Sequence, residues 1–138
     1  MSEISSATIT AYQETDYRVF GDSPFTLRIR EASEPLAELL RQHGTNCAAF
    51  ITACNPFSRK LDEATNAARQ AKLAQELTRR DLSLIAGEGR HPSEGWVEPS
   101  YLVLGLSRDE AKKLGRRYEQ NAVVWCEADA VPELVLLR

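Results

Sequence analysis

The sequence predicts an α+β domain: a two-layer sandwich with a mixed or mostly antiparallel sheet of about five to seven strands, covered by about three helices. Three observations carry that expectation. Strand-like segments pair as hairpins near both ends of the chain. Helical patterns separate the middle strands. The regular βα alternation that a doubly wound parallel sheet needs is missing. With 138 residues, a single domain over residues 1–138 is long enough to bury a hydrophobic core.

Residues 4–14 come first. Ile9 and Tyr12 sit at helical spacing and Ser5 or Ser6 can cap, while Thr8 and Thr10 suit a strand equally; a short helix is the preferred reading. Tyr17–Phe20 alternates weakly, Gly21-Asp22-Ser23-Pro24 is a turn cluster, and Phe25–Arg30 alternates apolar and polar throughout, so 17–30 reads as a hairpin. Ser33 caps the next helix, with Pro35 in its first turn and Leu36, Leu39, Leu40 and His43 at i, i+3, i+4 and i+7. Gly44 ends it as a left-handed residue.

The uncharged run 47–54 is suited to a buried strand. It stops at Asn55-Pro56, because Pro56 cannot donate a hydrogen bond and disfavours the α region at Asn55. The clearest helix follows, from Leu61 to about Arg80, with Asp62 as N-cap. Ala64, Ala67, Ala68, Ala71 and Ala74 fall on one side and are expected to face the sheet. Leu82–Ala86 is a short strand that enters a long polar loop over 87–100, and Tyr101–Leu106 is a second buried strand. Ser107-Arg108-Asp109-Glu110 is a capping box, with Leu106 placed to staple onto Ala111, for a helix running to about Tyr118. Gln120-Asn121 is a turn with Asn121 left-handed. Ala122–Cys126 and Leu134–Leu137 are strands joined through Ala130-Val131-Pro132.

Composition narrows the function classes. A net charge of −3 argues against non-specific nucleic-acid or anionic-membrane binding, which need a cationic face. No run approaches the length of a membrane span, and Met1–Ser6 lacks a cationic region followed by an apolar core, so no secretory signal is expected. Three cysteines without C-x-x-C spacing fit a reducing cytoplasm. Only two histidines, His43 and His91, are present, and neither is spaced for zinc; no metal and no cofactor is expected. Cys54 at a strand end is the one thiol placed like a nucleophile, and a buried free thiol is its simpler reading.

The chemistry-bearing residues cluster where strands end. The 87–100 loop holds Glu88, Arg90, His91, Glu94, Trp96, Glu98 and Ser100, which can supply a general base (Glu88 or Glu98), an anion-binding Arg90 and an aromatic wall, Trp96. Asn55, Ser58 and Arg59 can hold a polar group near a helix start, and Gln120-Asn121 can present an amide pair. Each also has a plain structural reading, as a solvated loop or a satisfied turn.

Ala49–Ala53 followed by Asn55-Pro56 and Ser58 resembles a bacterial family, domain of unknown function 3293. Asn66 and Arg69, Gly87-Glu88-Gly89, Glu98-Pro99-Ser100 and Gln120-Asn121-Ala122 with Val124-Trp125 carry the same resemblance, which extends from about Tyr12 to Leu137. It implies no activity. It does imply a shared polar network, since the motif positions Asn55, Ser58, Asn66, Arg69, Glu88, Glu98, Ser100, Gln120 and Asn121 are neither apolar nor periodic. The expectation is a cytoplasmic domain binding a small polar or anionic ligand between the 55–59 segment, the Asn66/Arg69 helix face and the 87–100 loop. Arg69 and Arg90 would neutralise the ligand, Asn55 and Gln120 orient it, and Trp96 cover it. The alternative is a protein–protein interaction module whose surface is formed by the 87–100 loop and the edge strand near the C-terminus, a homodimer contact being one form of it.

Overall fold

A computed structural model describes residues 4–138, so the reading of Met1–Ser6 as no signal lies partly outside the described residues. Among these residues seven strands form one sheet in the order β2-β1-β4-β5-β3-β6-β7. They are β1 (Asp16–Val19), β2 (Phe25–Leu27), β3 (Ala48–Ile51), β4 (Ser83–Arg90), β5 (Val97–Leu104), β6 (Ala122–Cys126) and β7 (Glu133–Leu136). Every neighbouring pair is antiparallel. The sheet curls into a half-barrel. Its two edges approach each other: Arg30 N–H donates to the Pro132 carbonyl at 2.9 Å, and Ser33 N–H to that of Ala130 at 3.0 Å.

Among the described residues four α-helices accompany the sheet: α1 (Ser6–Glu14), α2 (Glu34–Gln42), α3 (Glu63–Arg79) and α4 (Arg108–Arg117). Each opens on a short polar cap whose side chain accepts an otherwise orphaned N–H: Ser5 from Thr8, Ser33 from Leu36, Asp62 from Thr65 and Ser107 from Glu110. The expected two layers with three helices is corrected here, because both faces of the sheet are apolar. The outer face (Ala49, Ile51, Val103, Val123, Trp125) meets Leu73 and Leu77 of α3 and Ala111 and Leu114 of α4. The inner face (Ala48, Phe50, Leu102, Leu104, Val124) meets Leu36 and Leu40 of α2. A strand buried on both faces must be apolar at every position, and β3 is.

Several boundaries shift for physical reasons. The 47–54 run is a strand only over Ala48–Ile51, because beyond it the Thr52 hydroxyl donates to the Pro99 carbonyl at 2.7 Å and accepts from Cys54 N–H at 3.0 Å. The polar loop 87–100 is mostly strand. β4 and β5 pair from Ser83↔Leu104 to Arg90↔Val97, leaving only residues 91–96 as a turn. His91 closes that turn by accepting N–H bonds from Ser93 and Glu94 at Nδ1. The left-handed residue before β6 is Glu119, not Asn121.

Four of the five alanines expected against the sheet do not face it, and Ala74 is half-buried. Ala64, Ala67, Ala68 and Ala71 are exposed, and the inward stripe is Asn66, Arg69, Gln70, Leu73 and Leu77. The reason lies under the helix, where the strand has ended and its backbone groups need partners. Ala53 N–H donates to Gln70 Oε1 at 2.9 Å, and the Ala53 carbonyl accepts from Arg69 Nε at 2.6 Å. Among the described residues no helix is long and apolar enough to cross a membrane.

Candidate functional site

The site follows from the β4–β5 register. On the inner face Ile85 stands opposite Leu102, then Gly87 opposite Ser100, then Gly89 opposite Glu98. Two strands that carry large side chains at one end thus carry almost none at the other, and a cavity of about 530 Å³ opens there. Gly87 is required by close approach, since a Cβ there would lie 2.2 Å from the Arg18 carbonyl oxygen. Tyr17, Phe50 and Val124 form the apolar wall, Trp96 reaches over from the 91–96 turn, and Ala7, Thr8, Ala11 and Tyr12 of α1 close one side.

The polar wall is built by the turn after β3. Asn55, Phe57 and Ser58 all have positive φ (48°, 53° and 61°) around Pro56. Non-glycine residues held this way cost roughly 1–3 kcal/mol each and persist only where their surroundings over-determine them. The surroundings here do so. Asn55 N–H donates to Asn66 Oδ1 at 2.9 Å, while Asn55 Oδ1 accepts from Asn66 Nδ2 at 2.8 Å and from Leu61 N–H at 3.0 Å. Phe57 N–H is held by the Glu119 carbonyl at 2.7 Å. The Asn55 side-chain amide Nδ2 donates to Glu98 Oε2 at 2.9 Å. Ser58 is bound to the Tyr12 hydroxyl, and Asn121 Nδ2 donates to both, at 3.1 and 3.0 Å.

Glu98 is the electrostatic centre of this wall. Glu98 is half-buried, and that burial pushes its carboxyl up to about 7, with the Asn55 hydrogen bond pulling the other way. Among the described residues no cationic nitrogen lies within 4.0 Å of it. The charged groups that share the cavity lining are Glu94 and Lys60, both exposed at its rim. A carboxyl that titrates near neutrality can hold or accept a proton at working pH.

Of the residues singled out in the sequence, Asn55, Ser58, Trp96, Glu98, Ser100, Gln120 and Asn121 line the cavity. Asn66 stands behind Asn55 and orients it. Arg69 is turned to backbone, donating to the Ala53 and Tyr118 carbonyls at 2.6 Å each. Gln120 Nε2 likewise donates to the Cys54 and Tyr118 carbonyls. Glu88 and Arg90 occupy the alternate positions of β4 and so face outward, where Glu88 pairs with Arg18 and Arg90 at 3.3 and 3.5 Å. Cys54 is buried, with its thiol pushed up by that burial, and does not line the cavity. Among the described residues no group of three or more His, Cys, Asp or Glu side chains could hold a metal.

Tyr12, Tyr17, Phe50, Thr52 and Gly89 also line the cavity, though the sequence did not mark them as ligand-binding residues. Gly89 had a usable signal: two glycines at i and i+2 in a strand mark one face left without side chains. For Tyr12 and Tyr17 there was none, because they reach the site through pairing between segments far apart in the chain.

No curated protein and no solved structure matches the chain. A family model does match, over residues 51–123, from the end of β3 to the start of β6. That span includes Asn55, Ser58, Asn66, Glu98, Ser100, Gln120 and Asn121 and leaves α1 outside. On that match the chain belongs to the family described as "Protein of unknown function (DUF3293)".

Proposed function

We propose that the inner-face cavity binds a small polar ligand, with hydrogen-bonding groups on one wall and aromatic and aliphatic side chains on the other. The observation that supports this reading is the convergence of Ser58, Tyr12, Asn121, Asn55 and Glu98 on one hollow, with Asn55 and Ser58 presented by a turn of three positive-φ residues. Glu98 is the group suited to exchange a proton with the ligand if a reaction follows. An anionic ligand has less behind it, since Arg69 and Arg90 are engaged elsewhere. The interaction-module reading draws on the exposed Phe20, Val97 and Leu136. Phe20 follows β1 and Val97 opens β5, two strands separated by β4, with Arg18, Glu88 and Arg90 between them, and Leu136 is on the far edge strand. The cavity therefore has the stronger claim.

A thermal-shift screen against amino acids, amines, nucleosides and phosphorylated metabolites tests it. A ligand at a hundred times its dissociation constant adds about 2.7 kcal/mol, or about 9 °C for a chain of this length. The shift is expected to vanish in Gly89→Leu, whose side chain would project into the cavity. A ligand that shifts wild type and Gly89→Leu equally would place binding elsewhere.

A further inference from the structure

The walls of the cavity differ in charge as well as polarity. Glu98 lies directly across the strand pair from Gly89. A Cβ on Gly89 would sit 3.7 Å from the Trp96 ring and 4.0 Å from that of Tyr17, so the indole and the phenol flank the position that Glu98 faces across the strand pair. The Phe50 ring stands edge-on to Tyr17 with centroids 5.4 Å apart. A carboxylate taken out of water ordinarily sits beside a cation or donors that replace its hydration. Glu98 receives one neutral amide bond from Asn55 and, among the described residues, no cation. Aromatic faces around a desolvated site attract a positive charge through their ring quadrupoles. Glu94 at the rim adds a second negative group, and Lys60 there is exposed.

We propose that the ligand is a small organic cation, an amine or amidine, whose charged end pairs with Glu98 and whose apolar part lies among Trp96, Tyr17 and Phe50. This rests on the reading of the cavity as a ligand site. The cation supplies the counter-charge that the fold withholds from Glu98, and Asn55, fixed by Asn66, holds the carboxylate toward it. Neutral Tyr17 and the buried Cys54 thiol, both within electrostatic reach of Glu98, stay uncharged at neutral pH and do not compete.

Three nearly isosteric probes separate the charge states: benzamidine, benzamide and benzoate, with phenethylamine and phenethyl alcohol as a second matched pair. Calorimetric titration of wild type, Glu98→Gln and Gly89→Leu is the measurement. The cations are expected to bind at least tenfold tighter than their neutral or anionic counterparts. Their affinity should rise up to about tenfold from pH 6 to pH 8 as the carboxyl ionises. Glu98→Gln should abolish that preference while remaining folded, since it removes a desolvated charge. If benzamide or benzoate binds as well as benzamidine, and Gly89→Leu blocks it, the cavity reading stands and the cationic class is wrong. Affinity for a neutral probe that rises as pH falls would mean that protonated Glu98 donates to a carbonyl, which also overturns the cation. If no probe binds at about 10 mM, the cationic proposal fails, and the wider thermal-shift screen decides the cavity reading separately.

Discussion

The inner face of the sheet has two ends made from the same two strands. At one end Ile85, Leu102 and Leu104 pack with Leu36 and Leu40 of α2, and Leu36 and Leu102 are wholly buried. At the other, Gly87, Gly89, Ser100 and Glu98 occupy the equivalent positions and no side chain fills the space. α2 buries two leucines over the first end, whereas α1, with no fully buried residue, lies beside the second. The contrast teaches that stability and the candidate site are segregated along one pair of strands. The packed end holds the fold, which allows the other to keep a cavity, a desolvated carboxyl and a left-handed turn.

Substitutions can break or sharpen that contrast. The largest effect belongs at the packed end: Leu102→Ala removes a wholly buried side chain and should cost about 2–5 kcal/mol, lowering the melting temperature by roughly 7–17 °C. Gly87→Ala comes next. Its Cβ would meet main chain, which cannot rotate away, so a loss of about 1–3 kcal/mol by chemical denaturation is expected.

Glu98→Gln should act in the opposite direction, and only at the higher pH. The unfolded carboxyl ionises near its ordinary 4.5 and the folded one near 7. Between those values the folded protein holds a proton that the unfolded chain has lost. The contribution is therefore complete below 4.5 and disappears as pH rises through 7. Wild-type stability should fall over that window, by at most about 3 kcal/mol, and Glu98→Gln should flatten the profile and melt higher than wild type at pH 8. A wild-type profile flat between pH 4.5 and 8 would show that Glu98 is not desolvated.

Asn66→Ala should cost about 1–3 kcal/mol, because it removes two hydrogen bonds from Asn55 at once, one to its backbone N–H and one to its side-chain oxygen. It should also weaken any ligand that depends on Glu98, since Asn55 would lose its aim. The smallest effect is at Gly89. A Cβ there meets its neighbours at 3.7 Å or more, so Gly89→Ala should change stability by less than about 1 kcal/mol and is more apt to raise it. Two glycines two residues apart would then differ in sign, one serving the backbone and the other the cavity.

Much of the fold was legible because it is local. Ser33, Asp62 and Ser107 announce three helices as caps, and the uncharged Ala48–Ile51 announces a central strand, since each rests on chemistry within a few residues. The strand ends were legible as polar clusters, and seven of the residues read from them line the cavity. What only the tertiary structure decided was direction. Glu88 and Glu98 looked equivalent as loop acids until pairing made both segments strand, and the period of two sent Glu88 outward and Glu98 inward. The alanine stripe of α3 looked like its packing face, but unmet backbone groups at the end of β3 drew Asn66, Arg69 and Gln70 beneath the helix instead. Helix type and caps depend on neighbours in sequence. Which face is buried depends on what the rest of the chain brings against it, and that is a property of long-range pairing alone.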